Sequence, residues 1–281
     1  MPQLNQITIV GLGLIGGSLG MAIRRKRLAR RVVGLSRADA TIAKAKRAGA
    51  IDAGTTRGRE AVREADLVVL ATPVDLIVRE ATRLAAWMAP GSVLSDVGSS
   101  KGQIVRALRR GLPRGVSFVG AHPLAGSEKH GIEAADPALF EGSACILTPI
   151  RGTDPRAVAR VRALWQAVGR RVVTMTPERH DQLLAAVSHL PHLLAFSLIE
   201  STPASALPLA PRSFLEATRV AKSDPDLWDD ILLSNRNAIL AGMTRFDARW
   251  QRFRRLLTQR HRRSLGRVLQ HAQAIRQTLA D

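Results

Sequence analysis

The chain is poor in cysteine, and this shortage already limits what kind of protein it encodes. Its 281 residues include one cysteine, Cys145, so no disulfide can form within the chain and a reducing cytosol is the expected location. Cys145 lies in an apolar run, residues 144–147, where we expect a small core residue rather than a nucleophile. No apolar run approaches the ~18 residues of a membrane span, and no secretory signal is visible. We therefore expect a cytoplasmic protein with no membrane partner.

Acidic and aromatic residues are also scarce. The chain has 23 Asp and Glu against 42 Lys and Arg, a net charge of +19, with no tyrosine and 4% aromatic residues. Such a charge can attract nucleic acid, or small anions such as nucleotides and dicarboxylates. The basic clusters at residues 24–27, 109–110 and 260–263 are scattered and have few aromatic residues among them. We expect small anions, and no nucleic acid, to be the partners.

The stretch that organises the chain is an apolar run, residues 7–10, followed by glycines in the spacing Gly-x-Gly-x-x-Gly and then by a predicted helix over residues 14–25. This strand–turn–helix context is the dinucleotide-binding fingerprint, in which the backbone and the helix N-terminus hold a pyrophosphate. The predicted cofactor contacts there are Gly11, Leu12, Gly13, Leu14, Ile15 and Gly16.

The end of the second predicted strand, residues 31–35, bears on the choice of cofactor. An acidic residue at this place would hold the ribose 2′-hydroxyl of NAD. Here the sequence reads Ser36-Arg37, which suits a 2′-phosphate and favours NADP, with NAD as the alternative. Asp39 is the nearest acid, and we expect it to cap the next helix.

The alternation of strands and helices continues and predicts an α/β fold, a Rossmann-type doubly wound parallel sheet. Further strands are expected near Ile51 and over residues 67–71, 93–96 and 116–121, with helices over 40–48, over 76–88 and from Lys101, where Ser100 and Gln103 fit a capping box. Ligands bind beyond the carboxyl ends of such strands. The residues expected there are Thr72, Pro73, Ser99 and His122.

The second half of the chain predicts a helical domain. Two more strands, 144–148 and 171–175, flank a helix over 155–168, and no strand is expected after Pro177. The long helices are predicted over 178–200, interrupted or bent near Pro191, over 224–246 and over 250–279. We therefore divide the chain into a dinucleotide-binding domain, 1–175, and an all-α substrate and dimerisation domain, 176–281. Apolar residues at helical spacing predict pairing across a dimer axis: Ile231, Leu232, Ile239, Leu240, Met243 and Phe246.

Three histidine contexts stand out. His122 lies where a predicted parallel strand ends, at the cofactor crevice, and a histidine there can serve as a general base near neutral pH. His130 and His180 are interpreted as polar surface residues. His189 and His192 share the motif Ser-His-Leu-Pro-His at 188–192.

Taken together, the motifs resemble the prephenate and arogenate (cyclohexadienyl) dehydrogenases of tyrosine biosynthesis, over nearly the whole chain. They are Gly-Leu-Gly-Leu-Ile-Gly-Gly-Ser at 11–18, Ala-Thr-Pro at 71–73, Asp-Val-Gly-Ser-Ser-Lys at 96–101, Ala-His-Pro-Leu-Ala-Gly at 121–126, Leu-Thr-Pro at 147–149, Ser-His-Leu-Pro-His at 188–192 and Ala-Thr-Arg-Val-Ala-Lys-Ser-Asp-Pro at 217–225. The resemblance implies a Rossmann-type domain followed by a helical dimerisation domain, and an NAD(P)-dependent oxidative decarboxylation of a dicarboxylate.

The resemblance also implies site residues. His122 matches the family's catalytic histidine and Ser99 a hydroxyl that orients it. Arg219 matches the arginine that holds the ring carboxylate, His192 a contact of the substrate side chain, and His189 a position near the nicotinamide. Ser127 and Lys222 are further candidate substrate contacts, and no metal site is expected. The chain departs from the family at Ser213-Phe214 and at Glu216, which leaves prephenate and arogenate open as substrates.

Two other functions compete with this one. A β-hydroxyacid or other two-domain NAD(P)-dependent dehydrogenase typically uses a helical lysine as acid or base, and His122-Pro123 at a strand end argues against it. A nucleotide-sensing protein that binds nucleic acid needs one basic helical face. The arginines between Arg252 and Arg263 do not fall on a single face.

Overall fold

The computed structural model describes residues 3–109, 111–127 and 129–279 as two compact units, Met1–Arg236 and Asn237–Asp281. The first unit contains one eight-stranded sheet in the order β3-β2-β1-β4-β5-β6-β7-β8. Its strands are β1 Leu4–Val10, β2 Ala29–Leu35, β3 Ala53–Thr55, β4 Leu67–Leu70, β5 Val93–Asp96, β6 Ser117–Pro123, β7 Ala144–Thr148 and β8 Arg171–Thr174.

Twelve α-helices occur within the described residues. They are α1 Leu14–Arg25, α2 Asp39–Arg47, α3 Gly58–Val62, α4 Val74–Ala85, α5 Gly102–Leu108, α6 Pro155–Val168, α7 Pro177–Leu184, α8 Leu190–Ser201, α9 Arg212–Ala217, α10 Pro225–Ser234, α11 Arg236–Thr258 and α12 Arg262–Gln277. A π-helical turn, Ala185–His189, joins α7 to α8, and a 3₁₀ turn, Arg219–Lys222, follows α9.

The sheet confirms the Rossmann-type prediction. β1 pairs in parallel with both β2 and β4, so the strand order reverses at β1, which is where doubly wound sheets bind ligands. One pairing differs from the expected parallel sheet, because β6 and β7 run antiparallel, with His122 opposite Ile146. β7 therefore extends the sheet beyond the end of the classic strand order, and β8 pairs with it in parallel.

Each central strand supplies two separate cores, which is why its sequence is apolar throughout. In β4, Leu67 and Val69 pack into one hydrophobic cluster and Val68 and Leu70 into the other. Successive side chains of a strand point to opposite faces, so a strand covered on both faces needs apolar residues at every position. Helices α1 and α6 contribute to the first cluster, and α4 and α5 contribute to the second.

The two predicted helix caps are wrong. Asp39 is the first residue of α2 and makes no capping hydrogen bond, and Ala38 precedes it. Helix α5 has no capping box: Ser100 Oγ instead donates to Ser234 Oγ, 2.8 Å away. The N–H groups at the start of α5 find a distant partner, which belongs to the site described below.

The helices after residue 176 agree with the prediction in kind and differ in their ends. A π-helical turn, Ala185–His189, interrupts the long helix just before α8, close to the interruption expected near Pro191. The two helices expected over 224–246 and 250–279 are three, because Asn235 ends α10 and α11 then continues to Thr258. The helix predicted to begin at Trp250 starts at Arg262 instead.

One helical segment is predominantly apolar over a greater length than we expect from the sequence. Pro177–Ser201 is, among the described residues, the one helical stretch whose length and composition would suffice to cross a membrane, with a mean hydropathy of 1.5. Most of its apolar residues are not buried within this single chain. The same stretch carries buried polar residues, His180, Asp181 and His189, whose place in the candidate site is described next.

Candidate active site

The glycine-rich turn after β1 has the geometry that a dinucleotide needs. Gly11 has a φ of +92°, and a Cβ there would lie 2.5 Å from the Ala71 carbonyl oxygen. A Cβ on Gly16 would lie 1.9 Å from the Gly11 oxygen, so only glycine lets α1 approach this closely. A Cβ on Gly13 would meet no atom within 4 Å, so this position opens onto free space.

The start of α1 is free to bind an anion. Gly13 is its N-cap residue, no side chain caps the helix, and its first turn contains no acidic residue. The first N–H groups of a helix lack partners within it and favour a phosphate. Space at Gly13 and unpaired donors at Leu14, Ile15 and Gly16 together fit the pyrophosphate of a dinucleotide.

Two neighbouring strand ends complete this crevice. The Thr72 Oγ1 atom, just after β4, is buried without a hydrogen-bond partner in the described structure, and Pro73 beside it is exposed. An unpaired buried hydroxyl costs roughly 1–3 kcal/mol, which a bound cofactor would recover. After β2, Ser36 Oγ accepts a hydrogen bond from the Ala38 N–H, and Arg37 is exposed to solvent.

His122 lies in β6 and forms a row with two residues from α7. Its Nδ1 is 2.8 Å from Nε2 of His180, and Nδ1 of His180 is 2.8 Å from Oδ1 of Asp181. The interpretation of His180 as a surface residue is therefore wrong, since it is fully buried, while His130 is exposed as expected. We call Asp181, His180 and His122 the Asp–His–His row.

Asp181 also holds the start of α5. Its Oδ1 accepts the N–H of Lys101 and its Oδ2 the N–H of Gly102, both at 2.8 Å. Burial alone would raise the pKa of Asp181, but the hydrogen bonds from His180, Lys101 and Gly102 outweigh it and lower that pKa. Asp181 is therefore a carboxylate, and it replaces the capping box that the sequence suggested.

A buried ion pair, Lys101 with Asp96, lies at the backbone of Ala121, the residue before His122. Lys101 is fully buried, its Nζ pairs with the Asp96 carboxylate, and it also donates to the Ala121 carbonyl at 3.0 Å. Asp96 in turn accepts the N–H groups of Gly98 and Ala121. A buried charge pair needs such additional hydrogen bonds to offset its desolvation. The pair fixes the backbone of the residue that precedes His122.

Burial keeps the site histidines neutral. The pKa of His122 lies well below its usual value, first because burial penalises the charged ring and then because His180 and Lys101 are nearby. Burial also lowers the pKa of His180, and it lowers that of His189 to about 4. All three rings are therefore neutral at neutral pH, and protonating any of them requires an interaction that stabilises the charged ring.

The remaining predicted substrate residues divide into two groups. His192 stacks on Trp228 with ring centroids 3.6 Å apart, and the pKa of His192 is lowered by burial and further by the charge of Arg219. His189 Nδ1 lies 3.0 Å from Asn235 Nδ2, whose amide also donates to the Asp181 carbonyl. The structure thus brings His122, His189, His192 and Arg219 into one neighbourhood.

Ser99, Lys222 and Ser127 are less closely tied to these rings. Ser99 is half-buried after β5, the strand next to β6, and no hydrogen bond joins it to His122 in the described structure. Lys222 is exposed on the same 3₁₀ turn as Arg219. Ser127 lies exposed in the loop after β6, where its hydroxyl accepts the Lys129 N–H. Cys145, in contrast, is a buried core residue, and burial raises the pKa of its thiol, as its sequence context predicted.

Residues 19–174 match the family profile described as prephenate dehydrogenase, nucleotide-binding domain, and residues 176–271 match prephenate dehydrogenase, dimerization domain. The chain belongs to the prephenate dehydrogenase family. It is accordingly an NAD(P)-dependent oxidoreductase, and the reaction of this family is an oxidative decarboxylation in tyrosine biosynthesis.

Individual relatives agree with the family profiles. The chain is 38% identical over 248 residues to the prephenate dehydrogenase of Bacillus subtilis, which covers 86% of this chain and 66% of that protein. It is 36% identical over 264 residues to the cyclohexadienyl dehydrogenase of Zymomonas mobilis, 90% of this chain and 89% of that one. The crystal structure of the prephenate dehydrogenase from Aquifex aeolicus with hydroxyphenyl propionate and NAD+ superposes with a TM-score of 0.91 at 34% identity, covering 98% of both chains.

Proposed function

We propose that this prephenate dehydrogenase family member oxidises prephenate, arogenate or both, giving 4-hydroxyphenylpyruvate or tyrosine, and that it prefers NADP. The observation that carries the proposal is the position of His122. It lies at the end of β6 with Nδ1 bonded to His180. Its other ring nitrogen, Nε2, has no partner within the described residues and remains available to a substrate hydroxyl.

The reaction asks for a proton acceptor next to a hydride acceptor. When bound, the nicotinamide supplies the hydride acceptor for the ring carbon that bears the hydroxyl. His122 Nε2 accepts the hydroxyl proton as that carbon gains carbonyl character, carbon dioxide leaves the opposite ring carbon, and the ring becomes aromatic. Ser99 orients the imidazole and the substrate oxygen. The lowered pKa of His122 keeps the imidazole neutral, and so able to act as a base, at neutral pH.

The cations of the site suit a dicarboxylate. Arg219 is exposed, and it lies close enough to His192 for its charge to lower the pKa of that ring. Its planar guanidinium can bind both oxygens of the ring carboxylate. His192 contacts the substrate side chain and His189 lies near the nicotinamide. Lys222 and Ser127, on exposed segments, are assigned as outer contacts of the substrate.

The lysine chemistry of the alternative enzyme class finds little support here. Lys101, at the start of α5, is fully buried and paired with Asp96. A lysine held this way has no access to a substrate. A β-hydroxyacid dehydrogenase that uses a helical lysine would need one exposed to the crevice.

The functional unit in this proposal is a cytoplasmic homodimer. The exposed apolar residues of the segment 177–201, among them Val187 and Leu198, lie within the part of the chain that matches the dimerization domain. A second copy covers them, which explains why an apolar segment of this length need not enter a membrane. The proposed domain boundary stays between residues 175 and 176.

A substrate panel tests the proposal. Purified protein is given NADP or NAD with prephenate, arogenate or a 3-hydroxyacid, and formation of the reduced nicotinamide is followed together with carbon dioxide release. We expect reduction and decarboxylation in equal amounts with prephenate or arogenate and none with the hydroxyacid. Turnover of the hydroxyacid alone, without carbon dioxide, would establish the alternative.

A further inference from the structure

Neither the family resemblance nor the proposed chemistry assigns a role to His180 and Asp181 of the Asp–His–His row. Its three members are all buried and are joined by two contacts of 2.8 Å each. Two of them, His180 and Asp181, come from α7: His180 contacts His122 on the side of Nδ1, and Asp181 contacts His180. They face neither the substrate hydroxyl nor the cofactor in the proposed mechanism.

The donor and the acceptor of each contact can be assigned in turn. Asp181 is a carboxylate and can only accept, so Nδ1 of His180 carries the proton. His180 is neutral because burial lowers its pKa, so its Nε2 is bare and can only accept. Nδ1 of His122 must then be the donor of the remaining contact. A neutral His122 with its proton on Nδ1 has a bare Nε2.

We propose that His180 and Asp181 are positioning residues that hold His122 in the Nδ1–H tautomer, so that the bare Nε2 faces the substrate hydroxyl. Free histidine favours the opposite tautomer, with the proton on Nε2, and in that form the nitrogen next to the substrate has no lone pair to offer. The inference rests on the proposed role of His122 as the base. No proton passes through His180: Nε2 of His122 holds the proton taken from the substrate until the phenolate oxygen of the aromatic product takes it back.

The surroundings of the row support a fixed arrangement. Asp181 cannot rotate away, because its two oxygens accept the N–H groups of Lys101 and Gly102 and its carbonyl accepts Asn235 Nδ2. The charged and titratable groups that act on the two rings of the row are His189, Lys101, Asp181 and Asp96. Lys101 is neutralised by Asp96, which leaves Asp181 as the anion that orders the row.

Nitrogen NMR of the wild-type enzyme measures the tautomer directly. The protein is labelled with ¹⁵N histidine and its long-range ring correlations are recorded at neutral pH, with His122→Asn used to assign the His122 signals. We expect a protonated Nδ1 and an unprotonated Nε2 on His122. A His122 ring with its proton on Nε2 would overturn the inference. This result does not depend on which substrate the enzyme turns over, so it is separable from a failure of the proposed function.

Variants of His180 test the consequence for turnover. In His180→Leu the acceptor for Nδ1–H is lost, and we expect kcat to fall on the order of 10–100-fold, the range found for partners that orient metal-bound histidines, with KM unchanged. In His180→Gln the amide oxygen can take the position of Nε2, and part of the activity should return. His271→Gln, on the exposed face of α12, is the matched control and should behave as wild type.

The variants also have outcomes that contradict the inference. Equal kcat in wild type and His180→Leu would show that the row does not select the tautomer. Equal losses in His180→Leu and His180→Gln, with both proteins folded and His122 in the Nδ1–H form in both, would do the same. If His180→Leu does not fold, the ¹⁵N measurement of the His122 tautomer in the wild type still decides.

Discussion

At the scale of single residues, burial decides the charge of a site side chain more than the residue type does. The chain has 42 basic residues, yet the site depends on neutral imidazoles and one neutralised lysine. The two arginines of the proposed site, Arg37 after β2 and Arg219 on its 3₁₀ turn, are both exposed to solvent. Two predictions at this scale concern these exposed cations.

Arg37 should decide between the two nicotinamide cofactors. We expect Arg37→Ala to weaken NADP binding and to leave NAD binding nearly unchanged, because only NADP has a 2′-phosphate for the guanidinium. A charge-assisted hydrogen bond is worth roughly 1.5–3 kcal/mol, so the preference should shift about tenfold to a hundredfold. Dissociation constants for both cofactors check this. Equal losses for NADP and NAD would remove the argument.

Arg219 should act on the substrate alone. We expect Arg219→Ala to raise the KM for the ring substrate, with cofactor binding intact, because truncating one partner of a desolvated charge pair costs roughly 2–5 kcal/mol. Arg212→Ala is the matched control, since Arg212 is exposed on the neighbouring helix α9 and pairs with Glu216. Steady-state kinetics measures both. An unchanged KM would mean that another cation, such as Lys222, holds the carboxylate.

At the scale of elements, two glycines of the β1–α1 turn differ in what surrounds them. Gly16 lies against the strand, whereas Gly13 opens onto free space. We expect Gly16→Ala to lower Tm, because its Cβ would overlap the Gly11 carbonyl, and Gly13→Ala to keep Tm but weaken the cofactor. Thermal unfolding with and without NADP distinguishes them. Normal NADP affinity in Gly13→Ala would show that no pyrophosphate lies there.

Elements whose signals are local could be predicted from the sequence. The apolar strands, helix α6 with Pro155 after Asp154, and the glycine turn all follow from neighbouring residues. The cap of α5 could not, because its acceptor, Asp181, is about 80 residues away along the chain. Ser100 and Gln103 satisfy the local pattern, yet Ser100 bonds to Ser234 instead.

The sequence does not predict the buried position of His180, for the same reason. A histidine followed by an aspartate in the first turns of a helix predicts a polar face that is exposed to solvent. It is buried here because α7 packs next to β6 and β7, which no pattern near residue 180 reveals. The one signal in the sequence is position, because a histidine and an acid follow closely after the last predicted strand, 171–175.

For the molecule as a whole, buried neutral histidines make stability depend on pH. The pKa values of His122, His180 and His189 are lower in the folded chain, so below pH 6.5 the unfolded chain binds more protons. Their stabilisation is complete above about 6.5 and is lost as pH falls toward 4. His189 alone contributes on the order of 3 kcal/mol, since its pKa falls from 6.5 to about 4 and each pKa unit is worth about 1.4 kcal/mol.

Thermal unfolding across this range checks the sign. We expect Tm to drop steadily from pH 6.5 to pH 4 and to be flatter above it. His271→Gln, which removes an exposed histidine, should show the same curve. A Tm that is constant or rises as the solution is acidified from 6.5 to 4 would contradict the neutral state of these rings.

The most direct test of the account is the pH dependence of kcat for wild type and His122→Asn. We expect both proteins to fold and to bind cofactor and substrate alike, because asparagine keeps a donor near Nδ1. The wild type should lose activity along an acidic limb that lies well below pH 6.5, because burial lowers the pKa at which His122 becomes protonated. His122→Asn should lack that limb and have a kcat lower by roughly 10²–10⁴. A limb that survives the substitution would show that His122 only orients the substrate and that another group takes the proton.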